Sequence, residues 1–402
     1  MTSAGTYRCT NKRTPSTATW SISCAATADV LALISRIHEA REAGDARGAV
    51  VGELEYQAAG CAAIGSPLYG HLLGRLADDA RSGGISWRVL EVHADEPPLT
   101  ALGLRLMAAV HRLVLTGSAP QLRRHYPSAG GDLGVEGSWE AFRAVLEEHV
   151  DEVRDGVSRP CQTNEPGRAA ALLGGFLSVS RHTGMPLRIL EVGASAGLNL
   201  RWDHFRYVDG VVAWGPPGSP VVLDGVFEAA PPMHVPAVVV DRRGCDPLPQ
   251  DPLSQETALN LRASAWPDQL ERFAALDGAL ALARQVPVVI DRAEGQDWLK
   301  DQLATARDGV ATVVYHSIVM QYMTEAARRE MRDVLVAAGE RATAKTPLAW
   351  LSMEPGGAGR AHVNLVTWPG GEQQLVAESG YHGRPVRWLE VPRPLDLGRG
   401  AY

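Results

Sequence analysis

The segment EVGASAGLN begins at Glu191 and combines an acid with three small residues at alternate positions, Gly193, Ser195 and Gly197. A hydrophobic run, LRILEV, leads into it. Small residues directly after a strand let a ligand approach the backbone, and the N–H groups of the turn and of a following helix can face that ligand. The same spacing also fits a tight strand-to-helix turn with a purely structural role.

A second interpretation of the segment is a nucleophile elbow, because it contains the pattern Gly-x-Ser-x-Gly around Ser195. Glu354 and His382 follow in the chain order that an α/β-hydrolase requires. Against this alternative, the sequence has no separate oxyanion loop of the HGGG type. Glu191, two residues before the first glycine, suits a cofactor-binding strand better.

Acidic residues also follow the next two hydrophobic runs. In an open parallel sheet, ligands bind at the carboxyl ends of such strands. AVVVDRRGCDP offers Asp241 and Asp246, either of which could bind the hydroxyl groups of a ribose. PVVID leads to Asp297, with Trp298 directly after it. The structural alternatives are a strand-end turn for Asp241, a helix start for Asp297 and a core position for Trp298.

Two later runs end in residues that could transfer a proton. ATVVYHSIVMQYM contains His316 at its end and Tyr322 on the next turn, and WLSMEP ends in Glu354. The imidazole of a histidine ordinarily titrates near neutral pH, so His316 is a candidate general base. A satisfied core histidine is the competing interpretation.

Two polar phrases are candidates for substrate binding. QTNEPGR brings Asn164, Glu165 and Arg168 into otherwise helical text, and ESGYHGRP places His382 after the last pair of strands. The structural alternative for the first phrase is a helix N-terminus, with a capping side chain and an acid in the first turn.

The elements that position these residues fall into three regions. Residues 1–27, rich in Ser, Thr and Ala, predict a disordered tail. Residues 28–180 predict a helical cap, since their apolar residues recur at helical spacing. Residues 181–402 alternate short apolar runs with helical stretches, which predicts an α/β domain with a mostly parallel sheet. Two strand-like runs around Pro369 predict an antiparallel hairpin near its end.

Composition excludes several classes of function. The net charge is −7 and no basic block occurs, so nucleic-acid binding is not expected. The longest apolar runs are too short to span a membrane. The five cysteines are scattered, without the spacing of a zinc site, and predict reduced thiols in a cytoplasmic protein.

EVGASAG resembles the first motif of class I S-adenosylmethionine-dependent methyltransferases, with Ser195 in place of a glycine. The wider text resembles a bacterial family known as domain of unknown function 2332, through phrases such as GSPLYG, QTNEPGR, LEVGASAGLNL, RRGCDP, VVYHSIVMQY and WLSMEP. The resemblance implies a Rossmann-like methyltransferase sheet that binds S-adenosylmethionine. The cofactor-binding residues that it implies are Glu191, Gly193, Ser195, Gly197, Asn199, Asp246 and Asp297. In this family pattern Asp246 binds the ribose, and Asp297 reaches the purine, against which Trp298 could pack.

The interval between the first motif and Asp246 is longer than one helix and turn, which predicts an inserted hairpin between them. Methyl transfer to O, N or C of a small molecule is the expected function. In this scheme His316, Glu354 and Tyr322 are catalytic, and Asn164, Glu165, Arg168 and His382 bind the substrate. The alternatives are a hydrolase that uses Ser195 and a non-catalytic small-molecule sensor on the same fold.

Overall fold

A computed structural model describes residues 28–98, 100–159, 163–357 and 359–394. Residues 1–27, where a disordered tail is predicted, lie outside the described residues. The part of the chain before the sheet is helical, as its periodicity predicts. Its helices are α1 (Ala28–Glu42), α2 (Ala46–Ala63), α3 (Pro67–Arg81), α4 (Ile85–Leu90), α5 (Leu102–Thr116), α6 (Pro120–Arg123), α7 (Ser138–Glu148), α8 (Val150–Val157) and α9 (Arg168–Thr183).

Local sequence explains these helices. At the start of α3, the hydroxyl of Ser66 accepts a hydrogen bond from the N–H of Tyr69 at 3.3 Å, and Pro67 occupies the first helical position. Apolar residues at helical spacing in α5, among them Met107 and Val110, are fully buried. Helices α2 to α5, α7 and α8 share a hydrophobic core separate from that of the sheet.

The second half of the chain builds a nine-stranded sheet that is mostly parallel. Its helices are α10 (Gln255–Ser264), α11 (Leu270–Ala283), α12 (Gly295–Gln302) and α13 (Glu325–Glu340). The strands of the chain are β1 (Leu187–Val192), β2 (Arg206–Asp209), β3 (Val212–Trp214), β4 (Val222–Asp224), β5 (Phe227–Ala229), β6 (Val239–Asp246), β7 (Val289–Arg292), β8 (Ala311–Ser317), β9 (Leu348–Pro355), β10 (Ala361–Trp368), β11 (Glu372–Ser379) and β12 (Val386–Pro394).

The order of the large sheet is β5-β12-β11-β10-β9-β8-β1-β6-β7. Strands β7, β6, β1, β8 and β9 are mutually parallel. The chain begins at β1 in the middle, moves outward through β6 to β7, and then returns to the other side of β1 for β8 and β9. The order therefore reverses between β1 and β8, and at such a point crossover connections leave a crevice at the carboxyl ends of the strands.

The central strands are apolar throughout because both of their faces are covered. Successive side chains of a strand point to opposite faces, so Ile189 and Leu190 of β1 enter two different cores. Ile189 belongs to the core that includes α9 and α11, whereas Leu190 belongs to the core beneath α12 and α13. Helix α9 packs on the sheet, so the predicted boundary at residue 180 falls inside this helix.

Both of the hairpins that the sequence predicts are present. The predicted hairpin around Pro369 is formed by the antiparallel strands β10 and β11. The long interval after β1 contains the antiparallel pair β2 and β3, and β4 extends it to a separate three-stranded sheet. Among the described helices, none combines the length and the apolar composition that crossing a bilayer requires.

Candidate functional site

A cleft of about 680 Å³ lies at the carboxyl ends of the central parallel strands, where the strand order reverses. Val192 at the end of β1, Asp246 at the end of β6 and Ser317 at the end of β8 all line it. Glu294, just after β7, completes the series. The volume lies within the range of small-molecule and cofactor sites.

The turn after β1 contributes Gly193 and Ser195 to the wall of this cleft. Gly193, Ser195 and Gly197 all have positive φ, at 71°, 52° and 64°. At Gly193 a side chain would also collide with Val319. This turn therefore requires small residues at alternate positions, as the sequence indicates.

The N–H groups of this turn are already used within the protein. Gly193 and Ala194 donate to the carbonyl oxygen of Cys245 at 2.9 and 3.0 Å. Ser195 donates to the Asp246 carboxylate at 2.8 Å, and the first N–H of the following helical segment, that of Leu198, donates to Asn164 Oδ1 at 2.8 Å. These groups do not form an open cradle for a phosphate.

Asp246 lies where a ribose-binding acid is predicted. Its two oxygens accept the N–H groups of Ser195 and Leu248, each at 2.8 Å, and the side chain lines the cleft. Since a carboxylate has about four acceptor positions, Asp246 can still accept hydroxyl groups of a ligand. The alternative acid, Asp241, instead pairs with Arg307 at 2.6 Å and does not line the cleft.

Asp297 does not line the cleft. Its side chain is 66% exposed and pairs with Lys300 at 3.2 Å, and the indole of Trp298 is buried and donates to Asp291 at 2.6 Å. Glu294 and Gln296, which the sequence pattern does not single out, line the cleft instead. Gln296 Oε1 is buried without a hydrogen-bond partner among the described residues.

Glu191 and Asn199 lie behind the turn rather than in the cleft. The Glu191 carboxyl is buried and accepts a hydrogen bond from the hydroxyl of Tyr315 at 3.0 Å. Burial raises the pKa of Glu191 to about 8. The amide of Asn199 donates to the carbonyl oxygen of Glu165 at 3.1 Å. In these positions both side chains support the turn.

His316 and Glu354 lie in the core beneath the cleft. Neither residue lines the cleft itself. His316 is fully buried, its Nδ1 lies 2.7 Å from Glu354 Oε1, and its Nε2 accepts from the indole of Trp350 at 3.0 Å. Both ring nitrogens are therefore occupied. The geometry agrees with the interpretation of His316 as a satisfied core histidine, and its ring does not face the cleft.

Ile318 follows β8 and has a φ of 54°, which is unusual for a β-branched residue and carries a cost of about 1–3 kcal/mol. In the described part of the chain, three non-glycine residues have positive φ, and two of them, Ser195 and Ile318, line the cleft. Such strain concentrates at functional sites.

A second cavity of about 70 Å³ adjoins the cleft between the helical cap and the sheet. Four residues line both spaces: Thr163, Arg168, Ile318 and Tyr322. The second cavity is further lined by Ile64 and Leu104 of the cap and by Trp266, Tyr381 and His382. The predicted residues Arg168, Tyr322 and His382 are thus brought together there.

Asn164 and Glu165 support the place where the cleft meets the second cavity, although their side chains do not reach either space. Asn164 accepts the N–H of Leu198, and Glu165 accepts hydrogen bonds from Arg272 at 2.6 Å and from the N–H of Gly167 at 3.1 Å. They fix the segment that carries Arg168.

This geometry defines the class of the protein: it is an α/β protein with a cleft of cofactor size at the point where the strand order reverses. The chain belongs to the family described as uncharacterized protein conserved in bacteria (DUF2332), whose profile matches residues 51–388. No curated protein matches the chain, and no solved structure matches it. Within the described residues, no group of three or more His, Cys, Asp or Glu side chains is arranged to hold a metal ion.

Proposed function

We propose that this protein is an S-adenosylmethionine-dependent methyltransferase that acts on a small molecule, built on a Rossmann-like sheet. The observation that carries the proposal is the cleft at the point where the strand order reverses, with Asp246 at the end of the second parallel strand. Ligands of open α/β sheets bind at this position, and an acid there suits the hydroxyl groups of a ribose.

The polar groups of the cleft favour a nucleoside without phosphates. Phosphate sites at a strand-to-helix turn commonly use free backbone N–H groups, and here those of Gly193, Ala194, Ser195 and Leu198 are bonded within the protein. Asp246 and Glu294 would also repel a phosphate and attract a cation, whereas Arg168, the cationic side chain of the cleft, lies where the cleft meets the second cavity. S-adenosylmethionine combines a ribose with a positively charged sulfonium and an ammonium group, and it fits both features.

When bound, S-adenosylmethionine supplies an electrophilic methyl group. The protein's part is to hold the acceptor in line with that group and to exclude water. The second cavity, which shares Arg168 and Tyr322 with the cleft, is the place we assign to the acceptor. Tyr322, Tyr381 and His382 are the candidates for proton transfer among the side chains that line it, and we give His316 and Glu354 a positioning role beneath the cleft.

The hydrolase alternative lacks an activated nucleophile. A catalytic serine needs a base within hydrogen-bond reach. Ser195 Oγ is buried and has no hydrogen-bond partner among the described residues. Its backbone, in contrast, is tied to Asp246 and Gln250. These contacts support a turn residue rather than a nucleophile.

Calorimetry with four ligands tests the proposal: S-adenosylmethionine, S-adenosylhomocysteine, ATP and NAD. We expect the first two to bind and the two phosphate-bearing ligands to bind at least tenfold more weakly. Mass spectrometry of the purified protein should also detect retained cofactor. Absence of binding at millimolar S-adenosylhomocysteine, or tighter binding of ATP, would reject the proposal. Labelling of Ser195 by a fluorophosphonate would favour the hydrolase.

A further inference from the structure

Arg168 carries a positive charge that the carboxylates of Glu165 and Glu354 favour from a distance without pairing with it. Its guanidinium donates to two carbonyl oxygens, those of Tyr381 at 3.1 Å and Ser317 at 3.2 Å. Within the described residues it forms no ion pair, whereas the other arginine of the second cavity, Arg272, pairs with Glu165 at 2.6 Å. Arg168 is half-buried, and a partly desolvated charge that forms no ion pair can accept an anionic ligand.

The remaining walls of the second cavity are aromatic and aliphatic. Trp266 and His382 meet edge to face with ring centroids 5.4 Å apart, and Ile64 and Leu104 close the side toward the cap. None of the described residues that line this cavity is an Asp or a Glu, although two acids line the larger cleft. The two adjoining spaces therefore differ in charge.

The charged groups around His382 agree with a positive potential in the cavity. Burial, followed by the nearby guanidinium groups of Arg272, Arg168 and Arg384, lowers the pKa of His382 well below its ordinary value. His382 is consequently neutral at physiological pH. Burial also lowers the pKa of Arg168, which indicates that its charge is poorly solvated.

We propose that the second cavity binds a small aromatic carboxylic acid, with the carboxylate on Arg168 and the ring among Trp266, Tyr381 and Ile64. A planar guanidinium can hold a carboxylate through two parallel hydrogen bonds. The enclosed volume of about 70 Å³ has room for roughly five waters, so part of such a ligand extends toward the cleft. The role of this acid as methyl acceptor rests on the proposed function, but its binding does not.

The test compares acids with their neutral amides, which have the same shape. Benzoate, salicylate and indole-3-carboxylate are titrated against benzamide, salicylamide and indole-3-carboxamide by calorimetry and thermal shift. We expect at least one acid to bind tenfold or more tightly than its amide. The acid should bind equally well, or better, in the presence of saturating S-adenosylhomocysteine.

Arg168→Gln should reduce the affinity for the acid at least tenfold, and Arg168→Lys should retain part of it. Arg181→Gln, an exposed arginine in the last turn of the same helix, is the matched control and should change nothing. The comparison of acid with amide on the unaltered protein stands even where a variant fails to fold.

The outcomes separate this inference from the proposed function. If no acid is preferred over its amide, the cavity is not an acid site. If the acid and S-adenosylhomocysteine compete, Arg168 serves the carboxylate of the cofactor and the inference is overturned. If an acid binds through Arg168 while S-adenosylhomocysteine does not bind at all, the inference stands and the proposed function falls.

Discussion

His316 Nδ1 lies 2.7 Å from Glu354 Oε1, and the same oxygen accepts the N–H of Val319 at 2.9 Å. This contact joins the ends of the neighbouring strands β8 and β9. Val319 lines the cleft, so the buried pair fixes one wall of the site without reaching it. The two residues that the sequence suggests for proton transfer act, in this geometry, as supports for the turn after β8.

Glu354→Ala should lower the stability of the protein more than any exposed substitution. It leaves His316 and two backbone N–H groups without their acceptor, and each buried polar group left unsatisfied costs about 1–3 kcal/mol. Urea unfolding measures the loss, with Glu140→Gln in α7 as an exposed control. If turnover vanished while stability stayed unchanged, Glu354 would be a catalytic residue after all.

Asp246→Asn and Asp297→Asn form a matched pair, since only Asp246 lines the cleft. Loss of a hydrogen bond to a charged group costs about 1.5–3 kcal/mol, so Asp246→Asn should weaken S-adenosylhomocysteine about 10- to 100-fold. Asp297→Asn should stay within twofold of the wild type. Calorimetry decides, and an equal effect of both substitutions would mean that the ribose does not bind at Asp246.

Gly193→Ala and Ser195→Gly test the turn after β1. The φ of 71° at Gly193 makes an alanine there cost about 1–2 kcal/mol, and its Cβ would press on Val319. We expect a lower melting temperature and weaker binding of S-adenosylhomocysteine. Ser195→Gly removes a side chain from a positive-φ position and should change stability by less than about 1 kcal/mol while keeping ligand affinity. An unaffected Gly193→Ala protein would contradict the close packing of the turn.

Glu191 should make stability depend on pH. Burial raises its pKa to about 8 in the folded protein, against an ordinary value of 4.5. Between these values the folded state keeps a proton that the unfolded chain releases, so the free energy of unfolding falls as pH rises from 4.5 through 8. Glu191→Gln has no proton to lose and should melt a few degrees higher than wild type near pH 8.

The melting advantage of Glu191→Gln should shrink as the pH falls and disappear below 4.5, where Glu191 is protonated in both the folded and the unfolded state. Differential scanning fluorimetry across this window gives the comparison. An advantage that is constant with pH would show that the substitution acts through packing rather than through ionisation.

Features encoded by local spacing were predictable from the sequence. The run LRILEV is buried at every position and forms β1, and the small residues after it form the positive-φ turn. The hairpin around Pro369 could be predicted because two strand-like runs flank a Pro-Gly-Gly turn. In each case the determining residues lie next to one another in the chain.

Side-chain direction was not predictable in the same way. Every residue of β8 is buried, so the sequence shows no alternation that would reveal that His316 points to the core beneath α12 and α13. At the start of α12, a shift of one residue along the helix turns Gln296 toward the cleft and Asp297 toward solvent. The second cavity combines Leu104, Trp266 and His382, which are far apart in the chain.

The position of Arg168 between the two spaces has a consequence for turnover. Under the proposed function, the cofactor would carry a sulfonium charge before methyl transfer and a neutral thioether afterwards, so a guanidinium without an ion pair beside the cleft would favour the spent form. A carboxylate on Arg168 would cancel that preference, and by reciprocity the charged cofactor would strengthen binding of the acid. Product inhibition would then be strongest when the acceptor is scarce, and the acceptor itself would help to exchange spent cofactor for fresh.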